Sequence, residues 1–434
     1  MPYPKYKDSG AEWLGEVPEG WGVSSIKRFA TFVYGDALPV EARNADGNVP
    51  VFGSNGSFGI HDQPNTRAPA ILIGRKGSCG ALNWSDVPVF AIDTVYFVDN
   101  RTCSANLHWF FWSLHIANLE AGSQDTGVPG LSREFAHSTI LPVPPEQEQQ
   151  DIAAFLDAET ARIDALMAEY ETLIDLLKEK RQALISQAVT KGLNPDVPMK
   201  DSGVEWLGEV PEGWEVKRLR FIAEMNPSKS ECSGIEGDSQ VSFLPMEAVG
   251  DDGSLNLEYV RPICEVNSGY TYFREGDVTI AKITPCFENG KGAVMRGLQG
   301  GIGFGTTELI VIRPILQATV GEYIHLLFIC AYFRKFGESW MYGAGGQKRV
   351  PDDFVRNFKV GIPPVAEQHA IAAFLDAEVS SMDALVQEAE TGINLLRERR
   401  MTLISDAVTG KIDVRCVAKT GAPVFVTNNK GGTQ

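Results

Sequence analysis

The sequence predicts an α/β protein that is built twice, each half consisting of a globular segment followed by a long helix. Two repeated motifs carry this prediction. The octapeptide IAAFLDAE starts at residues 152 and 371, which are 219 positions apart, and DSG-x-EWLGEVPEGW starts at residues 8 and 201, which are 193 apart. Because both motifs recur in the same order, the chain is an internal repeat. The unequal offsets place 26 additional residues in the second globular segment.

The first globular segment, 1–145, has strand-like and helix-like stretches in alternation. Residues 69–74 and 87–98 are rich in β-forming side chains and bounded by glycine or proline, which predicts strands. Residues 104–122 have the pattern of a buried helix that ends at Gly122, and a strand follows at 138–145. This alternation predicts an α/β fold for the segment.

The second globular segment, 192–364 with its linker, ends in the same way. A helix is predicted at 320–337, a glycine-rich loop at 341–353 and a strand at 358–364. Phe135 and Phe354 keep the 219-residue offset, as do the two Pro-Pro pairs. The earlier parts of the two segments, 22–100 and 215–310, show no visible similarity. The sequence therefore predicts that the two segments are diverged copies of one fold, at least in their last third.

The two remaining long stretches, 146–191 and 365–411, contain no proline and have apolar residues at alternating steps of four and three. This spacing is typical of a coiled-coil seam. Each helix is long and has one apolar stripe, so we expect the two copies to cover each other. The polar, glycine-rich tail at 412–434 is predicted to be disordered. The predicted seam residues are Ile163, Leu166, Tyr170, Leu173, Leu177 and Leu184 in the first helix, and Met382, Leu385, Ala389, Leu396 and Leu403 in the second.

The formal net charge is −17, but the acid is unevenly distributed. Residues 22–145 and 215–364 each have a balance of −2, so the globular segments are nearly neutral and can carry a basic face. The seven cysteines are scattered without a C-x-x-C pair, which is typical of reduced thiols in a cytoplasmic protein. The sequence has neither a secretory leader nor an apolar run of about 20 residues, as a membrane span requires.

The sequence contains no recognisable catalytic constellation. It lacks the phosphate-binding pattern G-x-x-x-x-G-K-[ST], and no Asp-Pro-Pro or Asn-Pro-Pro loop of the amino-methyltransferase type is present. His108 and His115 lie on an aromatic-rich helix, where a structural histidine is favoured over a metal ligand. We therefore expect no catalytic residue, metal ion or cofactor.

The motifs together resemble the specificity subunit of type I DNA restriction–modification systems. The resemblance rests on the two EWLGEVPEGW openings, the two PP…EQ…IAAFLD helix starts, and the helix ends ALI…AVTKG at 183–192 and TLI…AVTGK at 402–411. Residues 49–62 and 71–86 look like one known form of the first target-recognition domain. The resemblance covers nearly the whole chain except its last 20 or so residues.

This resemblance implies two target-recognition domains separated by two long antiparallel coiled-coil helices with a pseudo-two-fold relation. Each domain would recognise one half of a bipartite double-stranded DNA target. Two methyltransferase subunits would dock on the helices, and two restriction and motor subunits would join the full complex. The subunit itself would catalyse nothing.

Candidate DNA contacts lie in glycine-rich loops that carry basic or amide side chains. Such loops allow close approach to a phosphate or a base edge, and a solvated turn is the alternative for each residue. In the first domain they are Ser54, Asn55, Arg75, Lys76, Ser78 and Arg133. In the second domain they are Lys282, Thr284, Asn289, Lys291, Gln347, Lys348 and Arg349.

Three other interpretations are compatible with the sequence. An orphan DNA-binding subunit without a nuclease partner would have the same motifs, and its neighbouring genes would distinguish it. A nuclease with an unfamiliar site would cleave plasmid DNA without partners. A purely structural coiled-coil adaptor would show no sequence-selective DNA binding.

Overall fold

The computed structural model describes residues 2–39, 47–122, 130–344 and 346–416, and the chain divides into two compact units. Unit 1 comprises Met1–Tyr170 and Glu390–Gln434, and unit 2 comprises Glu171–Ala389. Most of the tail predicted to be disordered, from residue 417 onward, lies outside the described residues. The helices are α1 Leu107–Leu114, α2 Arg133–Ser138, α3 Glu146–Lys191, α4 Ile263–Val266, α5 Gly321–Ile329, α6 Ala331–Trp340, α7 Asp352–Asn357 and α8 Val365–Val408.

Unit 1 is built on a four-stranded antiparallel sheet with the order β4-β10-β7-β8. A three-stranded sheet, β6-β5-β9, lies beside it, and the pairs β1-β2 and β11-β3 complete the unit. Strand β7 is buried throughout, with alternate residues in two different apolar clusters. The strands are β1 Tyr6–Asp8, β2 Glu16–Pro18, β3 Gly22–Ser25, β4 Val33–Tyr34, β5 Val49–Gly53, β6 Gly56–His61, β7 Ala70–Gly74, β8 Leu82–Ser85, β9 Phe90–Ala91, β10 Val95–Asp99 and β11 Ile140–Val143.

Unit 2 has a four-stranded antiparallel sheet with the order β15-β22-β19-β20 and a second sheet with the order β17-β16-β21-β18. The pairs β12-β13 and β14-β23 complete it. The strands are β12 Met199–Asp201, β13 Glu209–Pro211, β14 Glu215–Arg218, β15 Ala223–Met225, β16 Gln240–Leu244, β17 Val260–Pro262, β18 Thr271–Arg274, β19 Val278–Ala281, β20 Gly292–Val294, β21 Ile302–Gly305, β22 Leu309–Pro314 and β23 Lys359–Ile362.

The early parts of the two globular segments each contain a four-stranded sheet of the same topology, although their sequences do not visibly align. The order β4-β10-β7-β8 in unit 1 corresponds to β15-β22-β19-β20 in unit 2, and all neighbouring strands in both are antiparallel. The shared fold that the sequence predicts for at least the last third of each segment therefore includes the main sheet of the early parts. The second sheets differ, and that of unit 2 has one more strand.

The Glu-Gln pair that follows each Pro-Pro motif explains why these residues are repeated. Glu148 accepts a hydrogen bond from Nε1 of Trp21 at 2.9 Å, and Glu367 accepts the equivalent bond from Trp214 at 3.1 Å. Gln149 and Gln368 each donate to the carbonyl of the first proline of their pair at 2.9 Å. The motif therefore fastens the start of each long helix to the sheet that precedes it.

Two predicted helices are shorter than expected. The helix expected at 104–122 ends at Leu114, and Asn118 has a left-handed backbone with φ 43° that prevents its continuation. The helix expected at 320–337 is two helices, α5 and α6, because Cys330 between them is extended (φ −61°, ψ 133°). Both breaks depend on single backbone conformations that the apolar pattern does not reveal.

Helix α3 has the predicted limits and α8 ends at Val408, three residues before the predicted end. The buried stripe of the two helices differs from the predicted seam. Leu166 and Leu173 are 40% and 42% exposed, and Leu385 is exposed as well, whereas Ile174 and Ile393 are buried. Within unit 1, Ile163 of α3 and Leu403 of α8 belong to one apolar cluster. The assignment of Leu166, Leu173 and Leu385 to the seam is therefore wrong. These leucines lie at solvent-facing positions next to the buried stripe, so an apolar side chain alone does not identify the seam. No helix in the described ranges is both long and apolar enough to cross a membrane.

Candidate nucleic-acid interface

The loop between β7 and β8 in unit 1 requires its glycines. A Cβ on Gly74 would lie 2.0 Å from the Ser78 carbonyl oxygen, and Gly77 and Gly80 have φ angles of 80° and 78°. This tight turn exposes Lys76 and Ser78 to solvent while Arg75 is half-buried. The sequence-predicted loop therefore presents two of its three candidate side chains freely.

Arg75 is held in place by its backbone and its side chain. Its amide donates to the Thr94 carbonyl and its carbonyl accepts from the Leu131 amide, both at 2.8 Å. Its Nη1 donates to the Asp93 carbonyl at 2.8 Å. The guanidinium group is thus oriented before any ligand binds.

Tyr34 joins two of the candidate arginines. The Cζ atoms of Arg75 and Arg133 each lie 4.9 Å from the centroid of the Tyr34 ring, which is 43% exposed. These are cation–π distances. Burial and the neighbouring Tyr34 phenol raise the pKa of Tyr96 to about 12. The Tyr96 phenol therefore stays neutral, and its hydroxyl donates to the Leu131 carbonyl at 3.0 Å. The cluster of Tyr34, Arg75 and Arg133 combines two positive charges with an aromatic surface, a combination suited to phosphates and bases.

The Ser54–Asn55 turn lies against the same loop. Ser54 is only 7% exposed, and its hydroxyl group faces the carbonyl oxygens of Lys76 and Thr94, the latter at 2.7 Å. A direct DNA contact from Ser54 does not fit this burial, because its one donor is occupied inside the protein. Asn55 is exposed on the two-residue turn between β5 and β6. Ser54 therefore positions the loop, and Asn55 remains a candidate contact.

Unit 2 has the same arrangement of two loops. The Lys282 amide donates to the Glu308 carbonyl, and the Lys282 carbonyl accepts from Val350, both at 2.8 Å. The Thr284 amide donates to the Lys348 carbonyl at 3.0 Å, and Ile283 and Arg349 form a β-bridge. Lys282 and Val350 thus correspond to Arg75 and Leu131 of unit 1. The structure brings Lys282 and Thr284 together with Lys348 and Arg349.

Arg349 is engaged by a carboxylate that sequence reasoning did not identify. Its Nε and Nη2 donate to the two carboxylate oxygens of Glu308 at 2.9 and 2.8 Å. Hydrogen bonding to Arg349 lowers the pKa of Glu308, and the same bonds raise the pKa of Arg349. The positive charge of Arg349 is therefore largely neutralised, whereas Gln347 and Lys348 beside it are exposed.

The remaining two candidates of unit 2 differ in their exposure. Lys291 donates from Nζ to the Met246 carbonyl at 2.9 Å and is half-buried. Asn289 is exposed on a turn in which its amide donates to the Pro285 carbonyl at 3.0 Å. Lys291 thus has an internal role in the unliganded chain, and Asn289 is available to a ligand.

The equivalent positions of the two units carry different chemistry. Arg133 begins α2 in unit 1, and Asp352 begins α7 in unit 2 at the 219-residue offset. Asp352 accepts a hydrogen bond from Nδ2 of Asn226 at 2.9 Å. Sequence analysis missed Tyr34, Asn226 and Glu308, because no predicted element lay beside any of them in the sequence. In the described ranges, no group of three or more His, Cys, Asp and Glu side chains has the arrangement of a metal site.

The duplicated architecture coincides with two separate family matches. Residues 18–174 and 211–394 both match the type I restriction modification DNA specificity domain. The chain belongs to this family. The two matched ranges contain all of the candidate contact residues, so both glycine-rich loop pairs are features of the family domain in this chain.

Several specificity subunits are similar to this chain in sequence. That of type I restriction enzyme EcoAI from Escherichia coli is 42% identical over 234 residues, which are 54% of this chain and 39% of that protein. That of EcoEI from Escherichia coli is 36% identical over 235 residues, with the same coverage. The chain thus aligns with about two-fifths of the length of these relatives. That of EcoBI is 22% identical over 366 residues, which are 79% of this chain and 73% of that protein.

Solved structures share the fold at low sequence identity. A chain from a structural study of complex assembly and conformational transition of the type I R-M system has a TM-score of 0.65 and 14% identity, with 91% of this chain and 99% of that chain covered. The HsdS subunit from Thermoanaerobacter tengcongensis has a TM-score of 0.50 and 16% identity, with 91% and 98% covered. The likeness extends over both units.

Proposed function

We propose that this chain is the DNA sequence-specificity subunit of a type I restriction–modification complex, in which each unit recognises one half of a bipartite target. One observation carries the proposal. Each unit has the same pair of loops at its four-stranded sheet, and equivalent backbone hydrogen bonds fix the loops in both units. The side chains on the loops differ between the units. A duplicated frame with divergent exposed side chains is what recognition of two different half-sites requires.

The chemistry of the two loop pairs supports different base preferences. In unit 1, Arg75 and Arg133 lie over the Tyr34 ring and Lys76 is exposed next to Arg75 in the chain. An arginine presented in this way suits the O6 and N7 acceptors of guanine. In unit 2, Gln347 and Lys348 are exposed beside the neutralised Arg349. A glutamine suits the donor and acceptor of adenine. Asn55, Ser78, Lys282, Thr284 and Asn289 complete the proposed contact set.

The two long helices act as a spacer between the half-sites in this proposal. Helices α3 and α8 have 46 and 44 residues. At a rise of about 1.5 Å per residue each spans about 65–70 Å. Two ion pairs support antiparallel packing as a coiled coil: Arg400 donates to Asp164 at 2.9 Å within unit 1, and Arg181 lies 3.5 Å from Asp383 within unit 2. The proposed domain limits are 1–145, 146–191, 192–364 and 365–411.

The partners we propose are double-stranded DNA, two methyltransferase subunits and, in the full complex, two restriction and motor subunits. The same Trp–Glu hydrogen bond fixes both helix starts, so the frame is duplicated. A duplicated frame would offer two similar docking surfaces, which supports two methyltransferase copies. A net charge of −17 leaves much of the phosphate neutralisation to those partners. The chain itself performs no catalysis in this proposal, needs no cofactor and works in the cytoplasm.

A reconstituted complex tests this proposal. The chain is purified with and without a type I methyltransferase subunit and titrated with a random-sequence DNA library, and bound DNA is sequenced. We expect salt-dependent selection of a split sequence when the methyltransferase is present. Selection of a single uninterrupted sequence would contradict the proposal. An orphan DNA-binding subunit is the alternative, and it would select the same DNA without supporting cleavage when restriction subunits and ATP are added.

A further inference from the structure

Glu308 and Arg349 form a fixed ion pair at the loop pair of unit 2. Two hydrogen bonds, at 2.9 and 2.8 Å, join the carboxylate oxygens to Nε and Nη2 of the guanidinium group. The backbone holds both partners, since the Arg349 amide donates to the Tyr342 carbonyl at 2.9 Å and the Glu308 carbonyl accepts from the Lys282 amide at 2.8 Å. A bidentate pair of this kind fixes the plane of the guanidinium group as well as its position.

The shared frame of the two units does not require this pair, because unit 1 builds the same loops without it. In unit 1, Thr94 takes the place of Glu308, since its carbonyl accepts the equivalent amide hydrogen bond at 2.8 Å. Gly130 takes the place of Arg349, since it forms the equivalent β-bridge. The acid and the base are thus absent together from unit 1. A role in what unit 2 recognises therefore accounts for the pair better than a role in the frame.

The pair leaves part of the guanidinium group exposed to solvent. The Arg349 side chain is 42% exposed, and that of Glu308 is 24% exposed. A guanidinium group has five N–H donors, and the hydrogen bonds to Glu308 use the Nε donor and one Nη2 donor. One N–H on each Nη atom therefore still points away from the carboxylate. Two such parallel donors match the O6 and N7 acceptors of guanine.

The carboxylate also changes how Arg349 interacts with phosphates. A neutral ion pair attracts the DNA backbone much less than a single cation does, and this attraction carries no sequence information. Lys348, the neighbour of Arg349 in the chain, is exposed and lies outside the ion pair. The two adjacent basic residues should therefore act differently, Arg349 on a base and Lys348 on a phosphate.

We propose that Glu308 is a positioning residue that makes Arg349 a charge-neutral reader of one guanine in the half-site of unit 2. This inference rests on the proposed function, because it requires unit 2 to contact DNA bases. Glu308 orients the remaining N–H groups of Arg349 for a base edge and masks the charge that would bind any phosphate. Arg349 then contributes to the choice of sequence and not to the salt-dependent affinity.

The dependence of affinity on salt separates these two contributions. The chain with its methyltransferase partner is titrated at several salt concentrations with the duplex selected from the random library, with every single-base variant of it, and with an unrelated duplex. Glu308→Gln unmasks the charge, so the slope of log affinity against log salt should steepen by about one, and binding to the unrelated duplex should strengthen. Lys348→Ala is the matched control and should flatten the slope by about one and weaken all duplexes alike.

Two further variants test the contact with the base. Arg349→Lys keeps the charge but lacks the fork of parallel donors, so the preference for guanine at one position should fall by about fivefold or more while the salt slope is unchanged. The double change Glu308→Gln with Arg349→Met removes the pair without altering the net charge and should have the same effect. Thermal unfolding monitored by circular dichroism checks that each variant folds.

The outcomes distinguish this inference from the proposed function. Full preference for guanine in a folded Arg349→Lys chain, or an unchanged salt slope in Glu308→Gln, would overturn the role of the ion pair while the unaltered chain still selects a split sequence. An unaltered chain that selects no sequence in either half would refute the proposed function, and the inference with it.

Discussion

Replacing Arg75 with alanine should relax recognition of one half of the target and leave the other half unchanged. The guanidinium group is fixed by the Asp93 carbonyl at 2.8 Å and by the Tyr34 ring at 4.9 Å. Little side-chain entropy is therefore lost when it meets DNA. If the guanidinium group contacts a base edge, its loss should reduce the free energy of binding to the correct base by about 1–3 kcal/mol. That corresponds to about 5- to 150-fold in affinity.

The assay measures the affinity of the chain with its methyltransferase partner for targets altered at single positions in either half. Arg75→Ala should reduce discrimination at one or two neighbouring positions of one half-site. Lys282→Ala, which changes the same backbone position in unit 2, is the matched control and should affect only the other half. A uniform loss over all sequences would assign Arg75 to a phosphate. Relaxation of both half-sites by Arg75→Ala would refute the separation of the units.

Three further predictions concern the helices, the partners and the acid stability of unit 2. Four residues inserted after Lys191 add one helical turn, or about 6 Å, so the DNA spacer should grow by about one or two base pairs while both half-site sequences persist. Sequencing of the methylated motif checks this, and altered bases with the old spacer would oppose it. Native mass spectrometry should find two methyltransferase copies per chain, and one copy at saturation would count against two docking surfaces. Because Arg349 lowers the pKa of Glu308, the pair stabilises the folded chain above pH 4.5, the ordinary carboxyl pKa, and this contribution is lost as the pH falls through the lowered pKa. Glu308→Gln should therefore lower the urea midpoint at pH 7 more than at pH 3, and equal decreases at both values would contradict the assignment.

The repeated motifs made the frame predictable. The Pro-Pro-x-x-Glu-Gln pattern predicted two helix starts at the correct positions, since each glutamate and glutamine fastens its helix through hydrogen bonds that require those residue types. The loop pairs were also found, because glycines beside basic residues are visible in the sequence. Arg75 and Arg133 lie 58 positions apart in the chain, yet both contact Tyr34.

The rest of the site depended on packing that a single sequence does not encode locally. In the sequence, Ser54 cannot be distinguished from an exposed turn residue. In the structure its hydroxyl group is within hydrogen-bond distance of the Lys76 and Thr94 carbonyl oxygens, which belong to two other segments. Glu308 follows two threonines and became relevant only through its contact with Arg349. In the long helices, Leu166 and Leu173 fit a heptad as well as their buried neighbours do. The choice between adjacent apolar stripes is made by the partner helix.

The most direct test of the central claim is the methylated motif in a host that expresses this chain with its methyltransferase partner. Single-molecule sequencing of the genome identifies every methylated base and its surrounding sequence. Recognition by two units with different loop side chains predicts one asymmetric motif with two specific halves and a spacer of fixed length. Arg75→Ala should degrade one half of that motif alone. A symmetric or uninterrupted motif in the unaltered chain would contradict the assignment of one half-site to each unit.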